Sequence, residues 1–136
     1  MRAVIQRVSK ASVEIENKIN GQIQIGLLIL LGIEDSDTQQ DIDWLSRKII
    51  QMRIFSDADG KMNLSLQEVN GNILLISQFT LFASTKKGNR PGFTRSAKPE
   101  FAIPLYEQFI KTLEIQLDKK IQTGIFGADM KVELLN

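Results

Sequence analysis

"QIQIGLLILLGI", residues 22 to 33, decides the architecture. Glutamine and isoleucine alternate at first, and then Leu27 to Leu31 run apolar without a break. A strand with one wet face alternates, whereas a strand covered on both faces reads as a continuous apolar run. The segment is therefore expected at the centre of a sheet, with apolar layers above and below it. It is the longest apolar run in the chain and falls far short of the roughly 18 residues that a membrane-spanning helix requires.

Working outward, residues 2 to 8 and 11 to 16 alternate as strands do. Val4, Gln6 and Val8 oppose Ala3, Ile5 and Arg7, and Val13 and Ile15 share a face. "NKING", residues 17 to 21, is expected to be the turn before the central strand. Downstream, Ser36 and Gln39 have capping-box spacing, and Ile42, Leu45, Ile49 and Met52 recur at helical intervals, with Trp44 expected at the margin of that face. "RIFSDADGKMNLSL", residues 53 to 66, reads as a hairpin turning at Gly60. Asp57, Asp59 and Glu68 do fall on positions 1, 3 and 12 of a calcium loop. Lys61 and Met62 then stand where such a loop needs an oxygen ligand and a glycine, so the turn is the better reading. "NILLISQFTLF", residues 72 to 82, is expected to be the second buried strand. Pro99 or Pro104 opens a second helix with the stripe Tyr106, Phe109, Ile110, Leu113 and Leu117, and "QTGIFGADMKVELL" closes as a bend and a last strand. A single globular domain over residues 1–136 accounts for all of this, at 43% hydrophobic residues. The start, "MRAVIQRV", alternates and lacks the pattern of a secretory signal, which points to a cytoplasmic protein.

The chain has no cysteine and no histidine. Disulfides, thiolate nucleophiles, zinc–thiolate sites and triads built on imidazole are thereby excluded. An enzyme made from this sequence must work with hydroxyls, carboxylates, lysines, backbone N–H groups, or atoms that its substrate brings.

Two neighbouring segments invite chemistry. If the strand ran through residues 73 to 81, Ser77, Phe79 and Leu81 would share one face, and Gln78 and Thr80 the other. Polar groups in a buried strand need partners, so these residues either line a pocket or mark where the strand emerges into water. Thr80 lacks an evident base; Lys86 is the conceivable partner, though no spacing demands it. The loop that follows, "TKKGNRPGFTR", belongs to a stretch from Ala83 to Pro99 holding Lys86, Lys87, Arg90, Arg95 and Lys98 and no acidic residue, in a chain of net charge +1. Cations on a glycine-containing loop beside Phe93 suit phosphate contact and base stacking, or are simply solvated surface. No G-x-x-x-x-G-K-[ST] phosphate loop occurs.

"VIQRV" at 4 to 8, "GLLILLGI" at 26 to 33, "RIFSDADGKMNLSL", "ISQFTLFA", "KGNRPGF" and "TGIFGADMKVELLN" occur in one order from end to end, and together they resemble the D-aminoacyl-tRNA deacylases, also called D-tyrosyl-tRNA deacylases. The resemblance implies an α+β fold whose strongly curved sheet forms a barrel-like body, active as a homodimer. It implies hydrolysis of the ester joining a D-amino acid, or glycine, to the 3′ end of tRNA, with no cofactor, no metal and no membrane partner. The "SQFTL" segment, here Ser77, Gln78, Phe79, Thr80 and Leu81, would line the aminoacyl pocket, with Gln78, Phe79 and Thr80 as its catalytic part. Phe126, Gly127, Ala128 and Met130 would lie opposite, near the terminal adenosine or the aminoacyl group. Arg7 would brace the pocket loop of the neighbouring subunit, and Lys86, Lys87, Arg90 and Arg95 would contact RNA phosphates.

The missing imidazole fits this chemistry. An ester to a ribose hydroxyl is already activated, and the neighbouring 2′-OH can help activate water or take part itself. Backbone N–H groups near Phe79 and Thr80 would hold the carbonyl oxygen, and Thr80 as a nucleophile ranks second. In one respect the sequence departs from the family: the Gly-Pro dipeptide that selects for chirality is expected a few residues beyond "KVELLN", and the sequence stops at Asn136, so either the natural chain continues, which is the favoured expectation, or this variant has lost that selectivity element. Two other functions compete, a non-catalytic RNA-binding module using the basic loop 86–98 and a carboxylate metalloenzyme, and no acidic spacing supports the latter.

Overall fold

The structure, a computed structural model, describes residues 1–136. Strand β4 (Gly26–Gly32) is its organising element. β1 (Arg2–Val8) pairs antiparallel with one edge of it, Ile5 opposite Ile29, and β7 (Asn72–Ser77) pairs parallel with the other, Leu28 opposite Leu74. The short β8 (Gln122–Thr123) adds to β7 in parallel, giving the order β1-β4-β7-β8. A second sheet holds β2 (Lys10–Ile15) between β3 (Lys18–Ile23) and β9 (Lys131–Leu135).

The apolar run of β4 is spent on two separate cores. Leu27, Ile29 and Leu31 join Ile73 and Leu75 beneath the helices α1 (Gln39–Gln51) and α2 (Pro99–Leu117), meeting Ile42, Ile49, Phe109 and Leu113. Leu28, with Leu74 and Ile76, faces the other way, onto Val8 at the end of β1 and onto Ala11, Val13 and Ile23 of the second sheet. Alternation across one strand thus feeds two layers, which is the arrangement an unbroken apolar strand demands. Gly26 lets β4 start this close to β7: a Cβ there would stand 1.9 Å from the Asn72 carbonyl oxygen.

The expected α+β class with two main helices holds, but the strongly curved, barrel-like sheet does not. The strands divide into sheets of four, three and two. The larger sheets approach at β3 and β8 through a side-chain bond, from Asn20 Nδ2 to the Thr123 carbonyl at 2.8 Å, and no ladder joins them. Closure requires continuous backbone pairing, and β8 is only two residues long.

Three local readings also shift. "NKING" belongs mostly to β3, and the tight turn lies one step earlier, at Glu16 and Asn17, both at positive φ. Helix α1 is capped by Thr38 instead of Ser36, because the Asp41 carboxylate accepts the Thr38 N–H at 2.8 Å. Those hydrogen bonds hold the Asp41 carboxyl below its usual range. Trp44 stands out in solvent with Lys48 over its ring. The hairpin of β5 (Phe55–Ser56) and β6 (Met62–Leu64) turns at Gly60 as expected. Asp57 is consumed by that turn, accepting the N–H groups of Asp59 and Lys61 at 3.0 and 2.9 Å.

Candidate active site

The stretch 72–82 does not form one strand. After Ser77 the neighbouring β4 ends at Gly32, and the last ladder-like bond runs from the Gln78 N–H to the Leu31 carbonyl at 2.7 Å. Without a partner to pair with, the backbone tightens into a 3₁₀ turn over Phe79–Phe82. The expected alternation of faces therefore stops at Ser77. The turn sends Phe79 outward to 56% exposure, edge-on against Phe93 at 5.3 Å, and buries Phe82.

At this end of β4 and β7 lies a cavity of about 260 Å³. Ser77, Gln78 and Phe79 form one wall, and Phe126, Gly127, Ala128 and Met130 form another. Seven of the expected site residues thus converge although one long segment, residues 80–125, separates the two groups in sequence. The lining carries no charged side chain. Its polar side chains are Ser77, Gln78 and Ser96, so it suits an uncharged group held by hydrogen bonds.

Thr80 and Leu81 lie in the adjoining turn, outside this lining. The Gln78 side-chain amide donates to Thr80 Oγ1, while the Leu81 carbonyl accepts from Arg2 Nη1 at 2.8 Å. Lys86 makes no hydrogen bond to Thr80. The N–H groups of Phe79 and Thr80 are the first two of the 3₁₀ turn and have no acceptor within it.

Behind the second wall, the buried Tyr106 hydroxyl donates to the Leu75 carbonyl at 2.9 Å, and that oxygen also accepts the Gly124 N–H at 3.2 Å. The Tyr106 ring meets Phe126 edge-on at 5.9 Å. Burial raises the Tyr106 pKa well above its ordinary value, so this hydroxyl stays a donor.

The basic loop is a small hairpin closed by reciprocal Ser84–Gly92 bonds, both 2.9 Å. Lys86, Lys87 and Arg90 project from it, exposed and outside every ion pair of the chain. Arg95 differs: it pairs with Glu34 at 2.8 Å and lies over the Phe82 ring. Arg7 is remote from the cavity, exposed on β1, and donates to the Ile54 carbonyl. The sequence reading missed Leu31, Ile33, Ile76, Ser96, Ala97, Ala102 and Val132, all part of the lining. The return of the loop beside the end of β4, where the Ala97 N–H bonds the Ile33 carbonyl at 2.9 Å, brings Ser96, Ala97 and Ala102 there, and no pattern in the sequence announces that bond.

The whole chain is similar to known proteins. The family model described as D-Tyr-tRNA(Tyr) deacylase matches residues 4–136. Proteins named D-aminoacyl-tRNA deacylase from Flavobacterium johnsoniae and Cytophaga hutchinsonii are each 65% identical over 136 residues, covering 100% of this chain and 91% of theirs. A solved structure of a protein called c-Myc DNA Unwinding Element Binding Protein is 37% identical with a TM-score of 0.93, covering 100% of this chain and 92% of that one. Another, of a probable eukaryotic D-amino acid tRNA deacylase, shares the fold at a TM-score of 0.84 and 15% identity, covering 97% and 91%. On the family match and the full-length identity of these relatives, the chain belongs to the D-Tyr-tRNA(Tyr) deacylase family.

Proposed function

We propose that this chain, as one deacylase domain over residues 1–136, hydrolyses the ester between a D-amino acid and the 3′ end of tRNA. One observation carries the proposal: the segments 77–79 and 126–130 meet across an uncharged cavity, in a chain without imidazole or thiol. The aminoacyl group, glycine included, enters between these walls. Ser77, Leu81, Phe126, Gly127, Ala128 and Met130 bind substrate, and Gln78, Phe79 and Thr80 form the catalytic set. The N–H groups of Phe79 and Thr80, without an acceptor in their turn, suit the carbonyl oxygen as it gains negative charge in the transition state. Proton transfer falls to the neighbouring ribose 2′-OH and to water, since the cavity lining offers no ionisable base.

Lys86, Lys87, Arg90 and, more weakly, Arg95 contact phosphates of the acceptor strand. The working form is a homodimer in which Arg7, exposed and distant from its own cavity, serves the partner's pocket. The reading is of a cytoplasmic enzyme acting in translation quality control; no helix here is long and apolar enough to cross a membrane. A non-catalytic nucleic-acid module, the function suggested by the name of the DNA-unwinding-element-binding neighbour, is disfavoured because the built cavity lies beside the cationic hairpin and would have no task.

The test uses D-Tyr-tRNA ending in adenosine or in 2′-deoxyadenosine, with and without chelator. D-Tyrosine should be released from the natural substrate, unaffected by chelator, and about 100-fold more slowly from the deoxy substrate. Equal rates on the two would overturn the role of the 2′-OH, and tight binding without release would overturn the hydrolase.

A further inference from the structure

Ser96 Oγ is buried and has no hydrogen-bond partner, the only buried side-chain polar atom of the chain in that state. It also lines the cavity, on the wall formed by the loop that leads into α2 and by the helix's first turn, where its companions Ala97 and Ala102 offer only methyl groups. Its position is fixed by backbone bonds on either side: the Ser96 N–H reaches the Phe93 carbonyl at 3.0 Å, and the Ala97 N–H reaches the Ile33 carbonyl at 2.9 Å. A buried hydroxyl without a partner costs free energy, and that cost persists in a fold when a ligand supplies the missing bond. The other polar lining side chains, Ser77 and Gln78, belong to the β7 wall, so Ser96 is the sole polar side chain on the α2 wall.

We propose that Ser96 is a substrate-binding residue whose Oγ hydrogen-bonds a hydroxyl or amino group of the aminoacyl-adenosine end of the tRNA. It holds the substrate against the α2 wall while the β7 turn addresses the ester. A hydroxyl both donates and accepts, so it serves a neutral or a cationic group without a buried counter-charge. The proposal rests on the deacylase reading for the identity of its ligand.

The test compares Ser96→Ala and Ser96→Cys with the wild type. Cysteine keeps the volume but bonds weakly. Steady-state hydrolysis of D-Tyr-tRNA should show KM raised about tenfold in both variants and kcat within twofold, as expected for one lost binding hydrogen bond. The thermal midpoint of Ser96→Ala should be unchanged or higher, because the orphan hydroxyl is gone. A KM within twofold of wild type overturns the proposal, as does a rise in KM accompanied by a fall in midpoint or loss of folding, which would make the hydroxyl structural. Titration with a non-hydrolysable amide-linked 3′-D-tyrosyl adenosine separates the two readings. If the wild type binds this analogue about tenfold more tightly than the variants but cleaves no D-Tyr-tRNA, the hydrolase fails and Ser96 stands. If it cleaves D-Tyr-tRNA and the variants bind the analogue equally well, Ser96 fails alone.

Discussion

Replacing Lys86, Lys87 and Arg90 together by alanine should change how tRNA binding responds to salt, and the structure sets the size of the change. All three side chains are exposed on the Ser84–Gly92 hairpin and outside every ion pair, so each is free to displace a counterion from a phosphate. For single-stranded RNA each such contact contributes about 0.7 to the slope of log affinity against log salt, and for a duplex about 0.9. Three contacts then account for a slope of about 2 to 2.7. Between 50 and 200 mM salt, a fourfold change, the wild type should lose about 20- to 40-fold more affinity than the triple variant. Arg95→Ala should move the slope by less than one contact's worth, because Glu34 already neutralises that guanidinium in part. Fluorescence anisotropy with labelled, deacylated tRNA over a salt series measures both. Parallel slopes for wild type and triple variant would refute phosphate contact by the hairpin, whatever happens to affinity at one salt concentration.

Thr80→Ala should keep kcat within about tenfold of wild type, since the hydroxyl has no base and only accepts the Gln78 amide; a loss of more than about 1,000-fold in single-turnover assays would restore Thr80 as a nucleophile. Gly26→Ala should destabilise the fold by at least about 3 kcal/mol, as the added carbon stands 1.9 Å from the Asn72 carbonyl and β4 must leave β7; a urea midpoint close to wild type would show that the strands slide apart freely. The carboxyls of Asp41 and Glu68 are held below their ordinary values of 3.8 and 4.5 by hydrogen bonds from Thr38 and Ser65. A lowered folded pKa stabilises above the ordinary value, so both caps should act fully above about pH 5 and fade as acid protonates them below 4. The double variant Asp41→Asn, Glu68→Gln should flatten that acid limb in urea titrations, and an unchanged limb would assign it to other groups.

The layering was legible because β4 has to satisfy two faces at once, and a five-residue apolar run has few other uses. The helices were legible for a related reason: Tyr106, Phe109, Leu113 and Leu117 repeat at helical spacing and do face the core. What escaped was geometry set by distant partners. β7 stops at Ser77 because β4 stops at Gly32, and nothing within "NILLISQFTLF" records the length of its neighbour. The barrel expectation failed at a two-residue strand too weak to register as a pattern. Within the site, "SQF" and "FGADM" were identified through motif resemblance, whereas Ser96 sits in a loop whose placement depends on one backbone bond to Ile33. A serine among turn residues looks like any other until the fold removes its water.

The Leu75 carbonyl, shared by the Tyr106 hydroxyl and the Gly124 N–H, makes the cavity a clamp of fixed gape. Its jaws, the β7 turn and the Phe126 segment, spring from a single oxygen in the deepest part of the protein. On the function proposed here, such a clamp would select among amino acids by exclusion, its width set before any substrate arrives. Substitutions at residues 106 and 124, which stand behind the lining and form no part of it, would change that width.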